Sequence, residues 1–344
     1  MEVTDDAQVG AARRAVHGFA KRVGFTEREL AEIDIVVQEI GTNAVRYATG
    51  GGYVHFTTPL GAEPGLELLY CDKGPGIPDI ERAVRDGVTT GGSLGAGLGA
   101  IRRLMHEFDC YSTVAAPRPR GISAPLRRTT HGTALLCRKW VEAARLEQHH
   151  AVTSRRYGAW SRPRPGESSN GDAYFVRRRA GATLLAVIDG LGHGHGAEEA
   201  ARAALEVLSS WEGEGLEDLF QRTHDRLRST RGAVMGACVV DTRRGAFYYA
   251  GVGNVEVRVF NSPEPIRPVS ANGTLGARLG RLRGWQYPWA EGATVVLASD
   301  GLSASWDIGD YPGLLAKSPQ LMAGVLMRDY SRNSDDATIL VARP

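Results

Sequence analysis

Cysteine is scarce in this chain of 344 residues and carries no pattern. The four, Cys71, Cys110, Cys137 and Cys238, show none of the short paired spacings that a zinc site uses. Three of them lie within apolar, strand-like stretches and read as small core residues in a reducing compartment. Charge of one sign is missing too. The 41 Lys and Arg against 39 Asp and Glu leave a formal +2, too little to argue for nucleic acid or a membrane surface. No apolar run reaches membrane-spanning length, and the first residues lack a signal-peptide pattern. These absences leave the expectation of a cytoplasmic protein with neither nucleic-acid nor membrane partners. What remains is a composition of 42% hydrophobic and 23% charged residues, that of a globular chain, with length enough for two domains.

Aspartates at strand ends organise the sequence. Leu184 to Ile188 is an apolar run that reads as a buried strand. It enters Asp189 and then the turn Gly190-Leu191-Gly192-His193-Gly194, ahead of a helical pattern from about Ala197. A carboxylate at a sheet rim beside close backbone suits a hard cation such as Mg²⁺ or Mn²⁺. Standing alone, Asp189 would equally read as a cap on a tight turn.

In the first half, Ala11 to Val23 reads as a helix. Thr26-Glu27-Arg28-Glu29 is a capping box that opens a second helix running to about Tyr47. Glu39 and Asn43, four apart, share one face of it, which by itself is also an ordinary polar face. Strands are expected at Tyr53 to Thr58 and Leu66 to Cys71. The second ends in Asp72-Lys73-Gly74-Pro75-Gly76. Then Gly91-Gly92-Ser93-Leu94-Gly95-Ala96-Gly97-Leu98-Gly99 precedes a helix expected from Ala100 to Glu107. Glycines ahead of a helix N-terminus suit phosphates, although no Walker A lysine follows.

In this order, with a closing Gly132-Thr133 strand, these motifs resemble the GHKL (Bergerat-type) ATP-binding fold. They look most like the anti-sigma and stressosome serine kinases of the RsbT/RsbW type, over Val9 to Val141. The resemblance implies ATP and Mg²⁺ as ligands, with Asn43 on the Mg²⁺ and Asp72 on the adenine amino group. Gly74 and Gly76 would shape the pocket, Gly95, Gly97 and Gly99 the phosphate lid, and Thr133 would lie near the base. Glu39 would be the general base for a substrate serine hydroxyl. One departure is a Pro- and Arg-rich stretch at 115–131, where the family has a short turn. It reads as a surface insertion or as a docking loop for an acidic partner.

In the second half, Val141 to Gln148 reads as a short helical connector, and Ala151 to Tyr157 as a strand. Asp172 precedes the strand Ala173 to Arg178, and the turn at Ala180-Gly181 pairs that strand with the Leu184 strand. Hairpin logic therefore sets Asp172 beside Asp189. Two helices follow, near Ala197 to Trp211 and Leu216 to Ser229, then strands at Ala233 to Asp241, Ala246 to Ala250 and Val255 to Phe260. Thr294 to Ser299 is another buried strand, running into Asp300-Gly301. Asp335-Asp336-Ala337-Thr338 leads into the last, Ile339 to Ala342. Clustered carboxylates repel unless a cation neutralises them, and two Mn²⁺ or Mg²⁺ ions would account for all four sites and activate water for attack on phosphorus.

Gly171-Asp172, Asp189-Gly190, Ser299-Asp300-Gly301, Asp335-Asp336-Ala337-Thr338, Ala250-Gly251-Val252-Gly253-Asn254 and Asn272-Gly273-Thr274-Leu275-Gly276 carry a second resemblance. It is to the PP2C (PPM) metal-dependent protein phosphatases of the SpoIIE/RsbX subgroup, over His149 to Pro344. It implies that Asp189 bridges two metals with the Gly190 carbonyl on one of them, and that Asp300 and Asp335 complete the other site. Asp172 would orient the attacking water or bind a metal directly. Asp336 is the weaker candidate of its pair, because one such Asp often caps the turn. His193 and His195 are expected to face solvent rather than metal.

The expected architecture is a two-domain α/β (α+β) chain. Residues 1–142 would form a GHKL ATP-binding α/β sandwich, and residues 149–344 a PP2C-like β-sandwich flanked by helices. Three readings follow. The first is a bifunctional switch, a serine/threonine phosphatase joined to a serine kinase, acting on STAS-domain regulators of a stress or sigma-factor pathway. The second is a phosphatase regulated by ATP binding without phosphate transfer. The third is a non-catalytic anti-sigma-type binding module. The oligomeric state, a homodimer included, is left open.

Overall fold

Helix caps start the first unit. In the computed structural model, which describes residues 1–48, 50–60, 64–85, 97–114, 130–141 and 156–344, Asp5 caps α1 (Asp6–Val23) by accepting from the Gln8 N–H at 2.9 Å. That cap sets the helix start ahead of the expected Ala11. The capping box at α2 (Glu27–Tyr47) is complete: the Glu29 N–H donates to Thr26 Oγ1, and the Thr26 N–H to Glu29 Oε2. Both helices lay apolar stripes, Val9, Ala12 and Val16 of one and Ile33, Val37 and Ile40 of the other, into a shared core.

Around them run β1 (Glu2–Val3), β2 (Gly52–Thr57), β3 (Gly65–Asp72), two short helices α3 (Ile80–Val84) and α4 (Gly97–Leu104), β4 (Glu107–Thr113) and β5 (Gly132–Trp140). The strands form one antiparallel sheet in the order β1-β2-β3-β5-β4. The helix expected at Ala100 to Glu107 thus begins at Gly97 and stops at Leu104, because Glu107 onward pairs with Arg138 and its neighbours in β5.

β3 and β5 are buried along their length, on both faces. Leu66, Leu68 and Tyr70 of β3 and Leu135 and Cys137 of β5 pack beneath the helices. The alternate residues turn to the other face. There Arg138 lies across from Glu67 and Glu107 in the ladder and donates to both, at 2.7 and 3.0 Å. Leu69 and Cys71 share that face, and part of the far C-terminal sequence covers it. By contact, Asp307–Asp329 belong to this unit together with Met1–Arg155. Gly324 lies so close that a Cβ there would come within 2.8 Å of Leu69 and 3.1 Å of Cys71 Sγ.

The second unit, Arg156–Trp306 and Tyr330–Pro344, is a β-sandwich. Its strands are β6 (Tyr157–Arg162), β7 (Asp172–Arg179), β8 (Ala182–Gly190), β9 (Ala233–Asp241), β10 (Ala246–Val252), β11 (Glu256–Phe260), the short β12 (Gly273–Thr274) and β13 (Arg278–Leu279), β14 (Trp285–Pro288), β15 (Thr294–Ala298) and β16 (Ala337–Ala342). One sheet runs β14-β10-β9-β8-β7 and the other β11-β15-β16-β6, with β7 and β8 against β15 and β16. Helices α5 (His195–Ser209) and α6 (Leu216–Leu227) cover the outer face of the larger sheet. Leu184, Ala186 and Ile188 of β8 point to them, and Leu185, Val187 and Asp189 point the other way. The two-domain α/β expectation therefore holds, with an α/β layer first and a helix-flanked sandwich second. The strand expected at Ala151 to Tyr157 starts instead at Tyr157, where pairing with Ala342 begins; 151–155 lie outside the described residues. The connector expected at 141–148 lies almost wholly outside them, as do 115–129 of the Arg-rich stretch.

Candidate functional site

In the first unit the sheet edge is organised by Asp72. This last residue of β3 is 9% exposed, and its Oδ1 accepts from the Gly74 N–H at 2.7 Å and the Thr133 N–H at 3.2 Å. The carboxylate thereby joins the turn after β3 to the start of β5. His131 Nδ1 donates to the Gly74 carbonyl at 2.8 Å, and Ser112 Oγ accepts from the Ile77 N–H at 2.7 Å. Ser112 Oγ also lies 3.1 Å from Thr133 Oγ1. Gly76 has φ +80°, and a Cβ there would stand 2.2 Å from the Thr113 carbonyl oxygen, so no side chain fits.

Glu39 and Asn43 lie one turn apart on α2, both half-buried. Neither makes a side-chain hydrogen bond to another described residue. The end of their helix meets the Asp72 turn: a Cβ on Gly74 would lie 3.1 Å from both Ala48 Cα and the Tyr47 carbonyl oxygen. Gly97 and Gly99 form the first turn of α4 rather than a loop before it, and Gly95 lies outside the described residues. The structure thus gathers Asp72, Gly74, Gly76 and Thr133 at one edge, beside the helix that carries Glu39 and Asn43. Ser112 and His131 went unread in the sequence. Each is an isolated polar residue at the end of a strand, a pattern that many surface residues share.

In the second unit, Asp172 and Asp189 are ladder partners at the end of the β7–β8 hairpin. Ser299 Oγ donates to Asp172 Oδ2 at 2.5 Å, and accepts from the Thr338 N–H at 2.9 Å. Asp300 Oδ2 accepts from Asn254 Nδ2 at 2.8 Å. Burial is the main cause that raises the Asp172 carboxyl to about 7, the Ser299 hydroxyl opposing it and the Asp336 charge adding to it. Burial likewise lifts Asp189 to about 8, with the charges of Asp172, Asp300, Asp335 and Asp336 all pushing the same way. Five carboxylates therefore act on one small region.

The two members of the Asp335–Asp336 pair differ. Asp336, 3% exposed, accepts from the Gly171 N–H at 2.8 Å and the Arg164 N–H at 2.7 Å, which makes it a brace for two loops. Asp335 is half-buried and accepts only the neighbouring Asp336 N–H, at 2.9 Å, among the described residues. Gly190 and Gly301 make room for this end: a Cβ on Gly190 would stand 2.3 Å from the Ala197 carbonyl oxygen. His193 pairs with Glu167 at 2.6 Å and His195 is largely exposed, so both face outward.

Among the described residues, no three His, Cys, Asp or Glu side chains stand as a ready ligand set for one ion. The donor chemistry nevertheless fits a hard divalent cation: all-oxygen carboxylates, partly buried, mutually repelling, with no lysine or arginine among the described residues paired to Asp172, Asp189, Asp300 or Asp335. Ser299, Thr338 and Asn254 fall within the sequence motifs, but their supporting hydrogen bonds became visible only in three dimensions.

Comparison with known proteins agrees with both halves. The family described as Histidine kinase-like ATPase domain matches residues 3–117, and Stage II sporulation protein E (SpoIIE) matches residues 179–344. The serine/threonine-protein kinase RsbT of Bacillus subtilis (strain 168) is 35% identical over 112 residues, covering 33% of this chain and 84% of RsbT. The phosphoserine phosphatase RsbX of the same organism is 26% identical over 140 residues, covering 40% of this chain and 70% of RsbX. A solved structure described as "The bacterial stressosome: a modular system that has been adapted to control secondary messenger signaling" is 35% identical, with a TM-score of 0.52, covering 55% of this chain and 98% of its own. The chain belongs to the RsbT family of histidine kinase-like ATPases, and carries a SpoIIE-type domain in the same polypeptide.

Proposed function

We propose that the chain is a metal-dependent serine/threonine protein phosphatase of the PP2C type, joined to an ATP-binding serine-kinase-like domain. Its substrates are STAS-type regulators of a stress or sigma-factor pathway. The observation that carries the phosphatase reading is the convergence of Asp172, Asp300, Asp335 and Asp336 on Asp189, where their charges add to burial in lifting its carboxyl to about 8. Such a cluster is costly without a cation. Asp189, Asp300, Asp335 and the Gly190 carbonyl would hold two Mn²⁺ or Mg²⁺ ions, with Asp172 as a further ligand or as the group that orients water. When bound, such ions supply charge neutralisation at phosphorus and a nucleophile at neutral pH. Ser299 and Thr338 hold Asp172 in place, Asn254 holds Asp300, and Asp336 holds the loops at Arg164 and Gly171, the second of which leads into Asp172.

At the other site, Asp72 would accept from the adenine amino group, with Gly74, Gly76 and Thr133 shaping the pocket. Asn43 would hold Mg²⁺, Gly95, Gly97 and Gly99 would lie along the phosphates, and Glu39 would take the proton of a substrate serine. The RsbT, RsbX and stressosome relatives support a place in a regulatory pathway with protein partners. A second reading keeps ATP binding without phosphate transfer. It is favoured by a contrast: Asp72 is fixed by two N–H donors, whereas no described side chain orients Glu39.

Hydrolysis of a small aryl phosphate, with Mn²⁺ or with EDTA, tests the phosphatase. Metal-dependent turnover supports it; no turnover on this compound or on a phosphorylated STAS protein would sink it. Transfer of phosphate from ATP to a STAS protein, lost in Glu39→Ala, separates the kinase from the binding-only reading.

A further inference from the structure

Residues 307–329 stand between Asp300 and Asp335 in sequence, yet pack with the first unit. Both ends of this excursion are pinned in the second unit. Leu302 and Ser331 form a β-bridge, the Ser303 N–H donates to the Tyr330 carbonyl at 2.9 Å, and the Arg332 N–H donates to the Gly301 carbonyl at 2.8 Å. Gly301 directly follows Asp300. Arg258 clamps the outgoing chain: its guanidinium donates to the carbonyls of Ala304 and Trp306, at 2.6 and 2.5 Å, and lies 4.0 Å over the Trp306 ring.

Within the first unit the excursion crosses three strands. Lys317 Nζ lies 2.8 Å from Asp109 of β4, and the Tyr111 hydroxyl of β4 donates to the Pro312 carbonyl. The helix α7 (Pro319–Tyr330) sets Gly324 against Leu69 and Cys71 of β3, while Leu321, Met322, Val325 and Leu326 are fully buried. Arg328 is held by Asp329 through two hydrogen bonds, and Asp329 also accepts from the Tyr311 hydroxyl. The remaining guanidinium nitrogen, Nη1, is buried and makes no hydrogen bond among the described residues. It would stand 3.0 Å from a Cβ on Gly132, at the point where that same Cβ would meet the Asp72 carbonyl oxygen. A buried cation thus lies against the backbone of Asp72, the residue on which the proposed nucleotide site is built.

We propose that residues 307–329 are a coupling strap: occupancy of the Asp72 edge shifts α7, and the pinned base of the strap carries that shift to the loops of Asp300 and Asp335. The inference rests on the nucleotide and metal readings above and adds the element that links them. Its physical basis is short and covalent. One closing hydrogen bond is at Gly301, next to Asp300, and two residues separate Asp300 from the other at Ser303; four separate Tyr330 from Asp335 on the far side. Coupling between sites needs an element whose arrangement both sites bias, and the strap is attached to both.

The test uses the full chain. Amide hydrogen exchange is compared with and without a saturating non-hydrolysable ATP analogue. Exchange should change about fivefold in 319–330 and also in 299–303. Unchanged exchange in 299–303 with the analogue bound overturns the strap. Mn²⁺-dependent aryl phosphate turnover supplies a second readout. Lys317→Glu should reduce the analogue's effect on turnover to less than about 1.5-fold, with turnover lacking nucleotide kept within about twofold. Lys317→Glu/Asp109→Lys should restore the effect. A full nucleotide effect in Lys317→Glu overturns the strap, and so does turnover in the unaltered protein that ignores a bound analogue; that last result leaves two independent activities standing. Failure of the analogue to bind overturns the strap and the nucleotide reading together. Absence of turnover counts against the phosphatase reading alone, and exchange at 299–303 then decides the strap.

Discussion

Asp172 and Asp189 stand directly opposite one another in the β7–β8 ladder, the first residue of β7 facing the last but one of β8. Like charges so placed oppose folding. Asp189→Asn should therefore raise the stability of the metal-free protein by about 1 kcal/mol while lowering Mn²⁺-dependent turnover at least about 100-fold. Thermal melting in EDTA and a turnover assay check the two arms; a loss of stability would count against the repulsion.

Asp336 should behave in the opposite way. Its carboxylate satisfies the Gly171 and Arg164 amides. Asp336→Ala leaves a buried N–H without a partner and should cost about 2–4 kcal/mol. Urea unfolding of this variant beside Asp335→Ala, which should lose turnover with little loss of stability, separates brace from ligand.

Asp72→Ala should weaken binding of a fluorescent ATP analogue at least about tenfold, because the charge-assisted bonds to two amides and the proposed one to the base would disappear together. Titration at constant Mg²⁺ measures it. Affinity equal to that of the unaltered chain would remove Asp72 from the nucleotide site.

Arg138 pairs with buried Glu67 and with half-buried Glu107. Arg138→Met strands those charges and should cost about 3–5 kcal/mol. Arg138→Met/Glu67→Leu should recover a good part of the loss, since a buried ion pair often gives little net gain over apolar packing. Urea unfolding followed by far-ultraviolet circular dichroism gives both numbers.

Burial pushes His55 down to about 4. In the unfolded chain its proton binds near 6.5, so the unfolded state takes up a proton first as pH falls. Stability from this group is complete above about 6.5 and is lost down to about pH 4, by at most about 3 kcal/mol. The midpoint of urea unfolding between pH 7 and pH 5 should fall less steeply in His55→Gln than in the unaltered chain.

The parts of the site that were legible in the sequence depend on local grammar. A capping box is four residues long, and Thr26 and Glu29 close it as read. The Asp172–Asp189 pairing needs only a strand, a tight turn and a strand. The parts that were illegible depend on distant partners. Nothing near Ser299 in sequence indicates that its hydroxyl holds Asp172, 127 positions away. The start of α4 at Gly97 ran against the low helix propensity of glycine, which the packing of Ala100 and Ile101 outweighs. The 307–329 segment was hardest of all. Leu321 to Met327 is apolar on every side, so its periodicity names no face.

The sheet of the first unit has consequences for synthesis. Leu69, Cys71, Ala134 and Leu136 form the face that α7 covers, and they leave the ribosome well before residues 307–329 exist. While translation runs through the intervening sandwich, this apolar surface lacks the cover that α7 gives it. A fragment cut after β5 would keep it bare permanently, and should associate or precipitate where the complete polypeptide does not.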